Sequence, residues 1–238
     1  MSNPELVNQA PNTITVWSDI GCPWATLALG ALRNAIQIVG SDKQIDHRVF
    51  PLEIFNQRPT PKRITDAEVV AIAGLIPDLG WNIWSKPDWN FAVTMIPAME
   101  AVQAAKHPDV GGLTASDELD AALRKAFWCD SRCISIGAEI MRAAETCSNV
   151  NVEALEWAIT VGEGRWRIRD QWPVAQSQLV TCSPHIFSPS GVAVANPGAS
   201  YTWVGGAETG YPRMESYDES WTRSFIDLDS GSSGLAAK

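Results

Sequence analysis

A cysteine set one residue ahead of a proline, where a strand gives way to a helix, has the placement of a nucleophile. This chain carries one in Trp17-Ser18-Asp19-Ile20-Gly21-Cys22-Pro23-Trp24-Ala25. Thr13 to Trp17 is rich in β-branched and aromatic residues and reads as a short buried strand. Thr26 to Val39 carries Leu27, Leu29, Leu32, Ala35, Ile36 and Val39 at spacings that include helical ones, and Gly40 stops it. Pro23 suits the first helical position, whose N–H has no intrahelical partner anyway, so Cys22 becomes the N-cap. Unpaired N–H groups and the positive end of the helix dipole stabilise a thiolate, so the spacing predicts a lowered pKa for Cys22. The competing reading is a small buried cysteine that caps nothing.

The 238 residues suit one large domain or two modest ones. Lys and Arg number 18 against 27 Asp and Glu, a net charge of −9, and no basic block is present to neutralise phosphates. That balance argues against nucleic acid and anionic membrane surfaces as partners. Met1 to Pro11 lacks the basic-then-apolar order of a secretory signal, and no apolar run approaches a membrane span, so a soluble, cytoplasmic protein is expected. Five scattered cysteines, Cys22, Cys129, Cys133, Cys147 and Cys182, are unlike a disulfide framework and point to reduced thiols. His47, His107 and His185 do not cluster with one another or with the cysteines, so no metal site is expected. The 11 tryptophans read mainly as core and interdomain packing.

Ile45 to Phe50 reads as a second strand, which makes a βαβ unit with parallel strands. Helical patterns then dominate: 66–76, 91–106, 116–128, 135–147, 152–160 and an amphipathic stretch over 163–178, with caps at Thr65, Asp88, Ser116 and Asn151. Cys129 and Cys133 would share a helix face, and Gly111-Gly112 and Gly205-Gly206 read as simple turns. Strand returns at 179–182 and 185–187 around Ser183-Pro184, and 192–195 follows as a hairpin partner. A closing helix is expected over 214–228, and the Gly/Ser-rich tail 229–238 is expected to be disordered. The expected architecture is an α/β domain from 1–58 and 171–238, with an all-helical insertion over 59–170.

Two separated segments carry a resemblance. Ser18-Asp19-x-x-Cys22-Pro23-Trp24, together with Ser183-Pro184-His185-Ile186-Phe187 ahead of Asn196-Pro197-Gly198, resembles the DsbA-like thioredoxin superfamily, and in particular its intracellular FrnE-like members. The resemblance implies a thioredoxin-like fold with an inserted helical domain. It implies thiol–disulfide oxidoreductase chemistry at Cys22, and a cis Pro184 facing that cysteine beside an edge able to pair with an extended substrate. Pro23, Trp24, Ser183, Pro184 and His185 would then line the substrate cleft, with Ser18 and Asp19 capping the loop or relaying protons. No tightly bound cofactor is implied. Partners would be small thiols or protein thiols and disulfides, with glutathione or mycothiol as a co-substrate and a homodimer left open.

The departure from the pattern is Ala25, which stands where the family's second, resolving cysteine belongs. Release of a mixed disulfide by a neighbouring thiol is lost. Three readings follow: a monothiol enzyme resolved by a small thiol, an enzyme resolved by another cysteine such as Cys182, or a scaffold without redox chemistry. The third includes kappa-class glutathione transferases and 2-hydroxychromene-2-carboxylate isomerases of the same superfamily, and a non-catalytic binding protein.

Overall fold

A computed structural model describes residues 10–206 and 209–226. Strand β1 (Thr13–Ser18) is buried along its whole length. Its position explains this, because it lies between β2 (Gln44–Val49) and β3 (His185–Phe187), with β4 (Ala193–Ala195) completing the order β2-β1-β3-β4. β1 pairs with β2 in parallel, and β3 runs antiparallel to both β1 and β4. The parallel pair is joined by helix α1 (Pro23–Val39), which gives the βαβ unit that the sequence predicts. Gly40 ends α1 in the left-handed region at φ 66°, where its N–H and that of Ser41 return to the last helical carbonyls.

Alternation along β1 decides what covers each face of the sheet. Ile14 and Val16 join Ile45 and Ile186 against Ala28, Leu29 and Leu32 of α1. Trp17 points the other way, to Phe50, Phe187 and the Val174–Ala175 end of a later helix.

Between β2 and β3 the chain is helical: α2 (Leu52–Phe55), α3 (Lys62–Leu75), α4 (Ile96–Ala104), α5 (Gly112–Trp128), α6 (Gly137–Ala144), α7 (Val152–Thr160) and α8 (Glu163–Ala175). Asn151 caps α7, its side-chain oxygen accepting the Ala154 N–H at 3.2 Å. The other expected caps are displaced. Thr65 and Ser116 lie inside helices that begin earlier, after Pro61 and at Gly112, and Asp88 opens a 3-10 turn. Helix α4 starts at Ile96, five residues beyond the expected Phe91. Cys129 closes α5 and Cys133 lies in the loop beyond it, so they do not share a helix face. Helix α8 passes through Pro173 and across the expected boundary at residue 170.

Two elements differ more deeply. Residues 179–182 are not strand, since the ladder begins only after Pro184, which has no N–H to give it. Met214 belongs to β6 (Tyr211–Tyr217), which pairs antiparallel with β5 (Ala199–Val204) in a separate hairpin. Only α9 (Arg223–Ile226) remains of the closing helix. The turn before α9 brings Trp221 onto the α1 core, where Phe225 packs, so the apolar spacing served two different elements. Leu228 and the tail 229–238 lie outside the described residues.

Candidate active site

The loop between β1 and α1 is fixed from three sides. Asp19 is buried, and its carboxylate accepts the N–H of Gly21 at 2.7 Å and that of Leu52 at 2.8 Å. Its own N–H donates to Ser183 Oγ at 2.9 Å, tying the loop to the segment ahead of β3. Gly21 fits closely here: a Cβ would lie 3.0 Å from Met95 Cγ and 3.3 Å from the Asp19 carboxylate, so the Met95 side chain would have to give way to it. From the helical block, Arg124 donates to Asp19 O at 3.1 Å, Thr26 Oγ1 at 2.9 Å and Ser18 Oγ at 3.0 Å, while the Trp128 indole donates to Ile20 O at 3.1 Å. Arg124 is itself paired with Asp120 at 2.8 Å, which Arg33 also reaches at 2.7 Å. A buried ion network therefore holds the loop that carries the cysteine.

Cys22 is the N-cap of α1 with Pro23 in the first turn, as the spacing predicts. Its Sγ donates to the Ser183 carbonyl at 3.1 Å, and the Ser183–Pro184 peptide is cis. The expected acidity is reversed. Burial pushes the Cys22 thiol up to about 12, against the opposing pull of the Ser183 side chain and the Ala25 N–H, and the carboxyls of Glu68 and Asp19 add to the rise. The helix start does favour the thiolate, but a cysteine only 3% exposed has lost more to desolvation than one turn of N–H groups returns.

Trp24, two residues beyond the cysteine, is covered from β5. Tyr201 stacks on Trp24 with ring centroids 4.0 Å apart and planes within 4°. The Tyr217 hydroxyl anchors the same hairpin to α1 by donating to Leu27 O at 3.1 Å. Replacing Tyr201 with alanine is expected to raise the alkylation rate of Cys22 roughly tenfold, about one unit of restored thiol acidity. Iodoacetamide labelling followed by peptide mass analysis reads this; an unchanged rate would show that Tyr201 does not govern access.

Of the residues singled out from sequence, Cys22, Pro23, Trp24, Ser18, Asp19, Ser183 and Pro184 meet at this junction. Cys182 adjoins it, half-buried, with its Sγ donating to Pro184 O at 3.2 Å. His185 is not brought to the sulfur. Its ring accepts the Thr181 N–H at 3.2 Å and packs on Phe187 at 4.2 Å, and burial holds its pKa down. Arg124, Trp128, Glu68 and Tyr201 escaped sequence reasoning. Only Arg124 carried a signal, as a charged residue within the apolar pattern of α5. All five cysteines are free.

The fold is shared with solved structures at low identity. A putative protein disulfide isomerase from Nitrosomonas europaea superposes with a TM-score of 0.55 at 12% identity, covering 90% of this chain and 95% of that one. A probable DsbA oxidoreductase from Streptomyces coelicolor gives 0.54 at 15% identity, covering 77% and 82%. The cytosolic disulfide reductase DsbM from Pseudomonas aeruginosa gives 0.52 at 15% identity, covering 90% and 97%. No family profile and no curated protein matches the chain. The chain has the α/β, DsbA-like thioredoxin fold. Among the described residues no helix is long and apolar enough to cross a membrane.

Proposed function

We propose that this protein is a FrnE-like thiol–disulfide oxidoreductase of the cytoplasm that works through Cys22 alone. The observation that carries the reading is the placement of the Cys22 sulfur at the start of α1, against the Ser183 carbonyl, with the fully buried Ala25 in place of a second cysteine. The Cys22 thiolate attacks a disulfide, one of its sulfurs bonds to Cys22, and the other leaves as a thiolate that takes up a proton. Ala25 offers no sulfur to attack the mixed disulfide, so a second thiol such as glutathione or mycothiol, or a protein thiol, takes the bound sulfur into a new disulfide and releases Cys22 as a thiolate.

Intact mass after incubation with glutathione disulfide tests the reading. One glutathione is expected on the wild-type protein and none on Cys22→Ser. No adduct with any small disulfide, together with saturable and reversible binding of reduced glutathione, would instead identify the transferase or isomerase alternative.

A further inference from the structure

The exchange chemistry at Cys22 leaves unused a cavity on the face of the sheet away from α1. Side chains alternate along β2, so Ile45 joins the α1 core while Asp46 and Arg48 face the other way, toward α8. There they line a cavity of about 420 Å³ with Lys106, which follows α4, and with Arg167, Asp170 and Gln171 of α8. That volume lies in the range of small-molecule pockets.

Most of the polar groups in the cavity are already paired. Asp46 accepts Lys106 Nζ on one oxygen at 2.5 Å and Arg48 Nε on the other at 2.8 Å. The Gln171 amide is held at both ends, by the Val49 N–H and by Gln103. Two donors are left over. Lys106 gives a second N–H to the His47 carbonyl, so one of its three has no acceptor among the described residues. Arg167 Nε is shut off from solvent without a hydrogen-bond partner, and its Nη2 stands 3.6 Å from Glu163, beyond hydrogen-bonding distance. The Nε–Nη2 edge is one that a guanidinium can offer to an oxyanion for a two-point contact.

We propose that this cavity binds an oxyanion, the phosphate or carboxylate group of a small molecule, between Arg167 and Lys106. The two cations come from different elements, and the oxygens of an anion would supply the acceptors that both lack. Lys106 already registers the local excess of positive charge. Burial pulls its ammonium down to about 8 against the hold of Asp46, and the charges of Arg48 and Arg167 add to the fall. The cluster stands apart in a chain of net charge −9. Asp170, exposed and one turn beyond Arg167, opposes an anion in the cavity.

Inorganic phosphate and acetate, each set against sodium chloride at equal ionic strength, test the site through thermal unfolding followed by tryptophan fluorescence. A ligand that binds only the folded chain raises Tm along a saturating curve, whereas the general salting effect of phosphate does not saturate and ignores single substitutions. The wild-type protein is expected to show the saturating rise. Arg167→Gln should move half-saturation upward at least about tenfold, the low end for one charge-assisted hydrogen bond. Asp170→Asn, at an exposed position, should move it downward about twofold by removing the opposing charge. A rise with phosphate alone assigns a phosphoryl ligand, a rise with acetate alone a carboxylate, and a rise with both the geometry they share. No saturating rise with either anion would overturn the proposal. A rise unchanged in both variants would mean an adventitious ion only, and would overturn it as well. Should Arg167→Gln fail to fold, Asp170→Asn decides by itself: half-saturation that does not fall rejects the site. None of these outcomes depends on the chemistry of Cys22.

Discussion

Replacing Arg124 with methionine is expected to lower folding stability by about 3–5 kcal/mol, the cost of breaking one partner out of a buried ion network. Arg124 is 2% exposed, and its guanidinium serves Asp120, Asp19 O, Ser18 Oγ and Thr26 Oγ1 together. Methionine keeps much of the volume and removes all of these donors. Asp120, whose carboxyl is held well below the usual range chiefly by Arg124 against the cost of burial, would keep only Arg33 and His47 nearby. The carbonyl of Asp19 would lose one of its two donors and keep the Cys22 N–H at 3.2 Å. Urea denaturation should show a lower midpoint at an unchanged slope. A loss below about 1 kcal/mol would show that Trp128 and Ser183 hold the loop without Arg124.

That network also marks where sequence reasoning stops. The strand, proline and helix around Cys22 could be read directly, because each depends on residues within a few positions of one another. β-branched Thr13 to Val16 make the strand, Pro23 sets the first turn, and Gly40 ends the helix. The acidity of Cys22 could not be read in this way. The dipole argument is local and correct in sign, but the burial that outweighs it depends on elements distant in the chain, among them the Ser183–Pro184 segment against the sulfur.

The β5–β6 hairpin illustrates the same limit. Tyr217, Trp221 and Phe225 recur at a spacing of four, which fits a helix, yet Tyr217 ends a strand and Phe225 lies in α9. Pairing with Ala199–Val204 overrode the periodicity, and nothing within residues 214–228 announces it. Asp19 was readable as a loop cap, since an aspartate commonly bonds the N–H two residues on, but its second bond, from Leu52, depends on tertiary structure.

Restoring the missing thiol should change the chemistry more than any other single substitution. Ala25→Cys puts a sulfur in the first turn of α1, on the same helix start as Cys22. The wild-type mixed disulfide with glutathione is expected to persist until an external thiol arrives. In Ala25→Cys, attack from within the same turn should release glutathione at least about a hundredfold faster and leave an internal bridge to Cys22, because the second sulfur is already positioned. Ala25 is fully buried, so the larger side chain must displace what packs on it, and some stability will be lost. A time course of intact mass without added thiol reads the outcome directly. If the wild-type adduct also clears unaided, another cysteine is resolving it. Cys182 is then the residue to test, because its sulfur meets Pro184 O while that of Cys22 meets Ser183 O, adjacent carbonyls of one short segment. Persistence of the adduct in Cys182→Ser would assign the resolving role to Cys182 and end the monothiol reading.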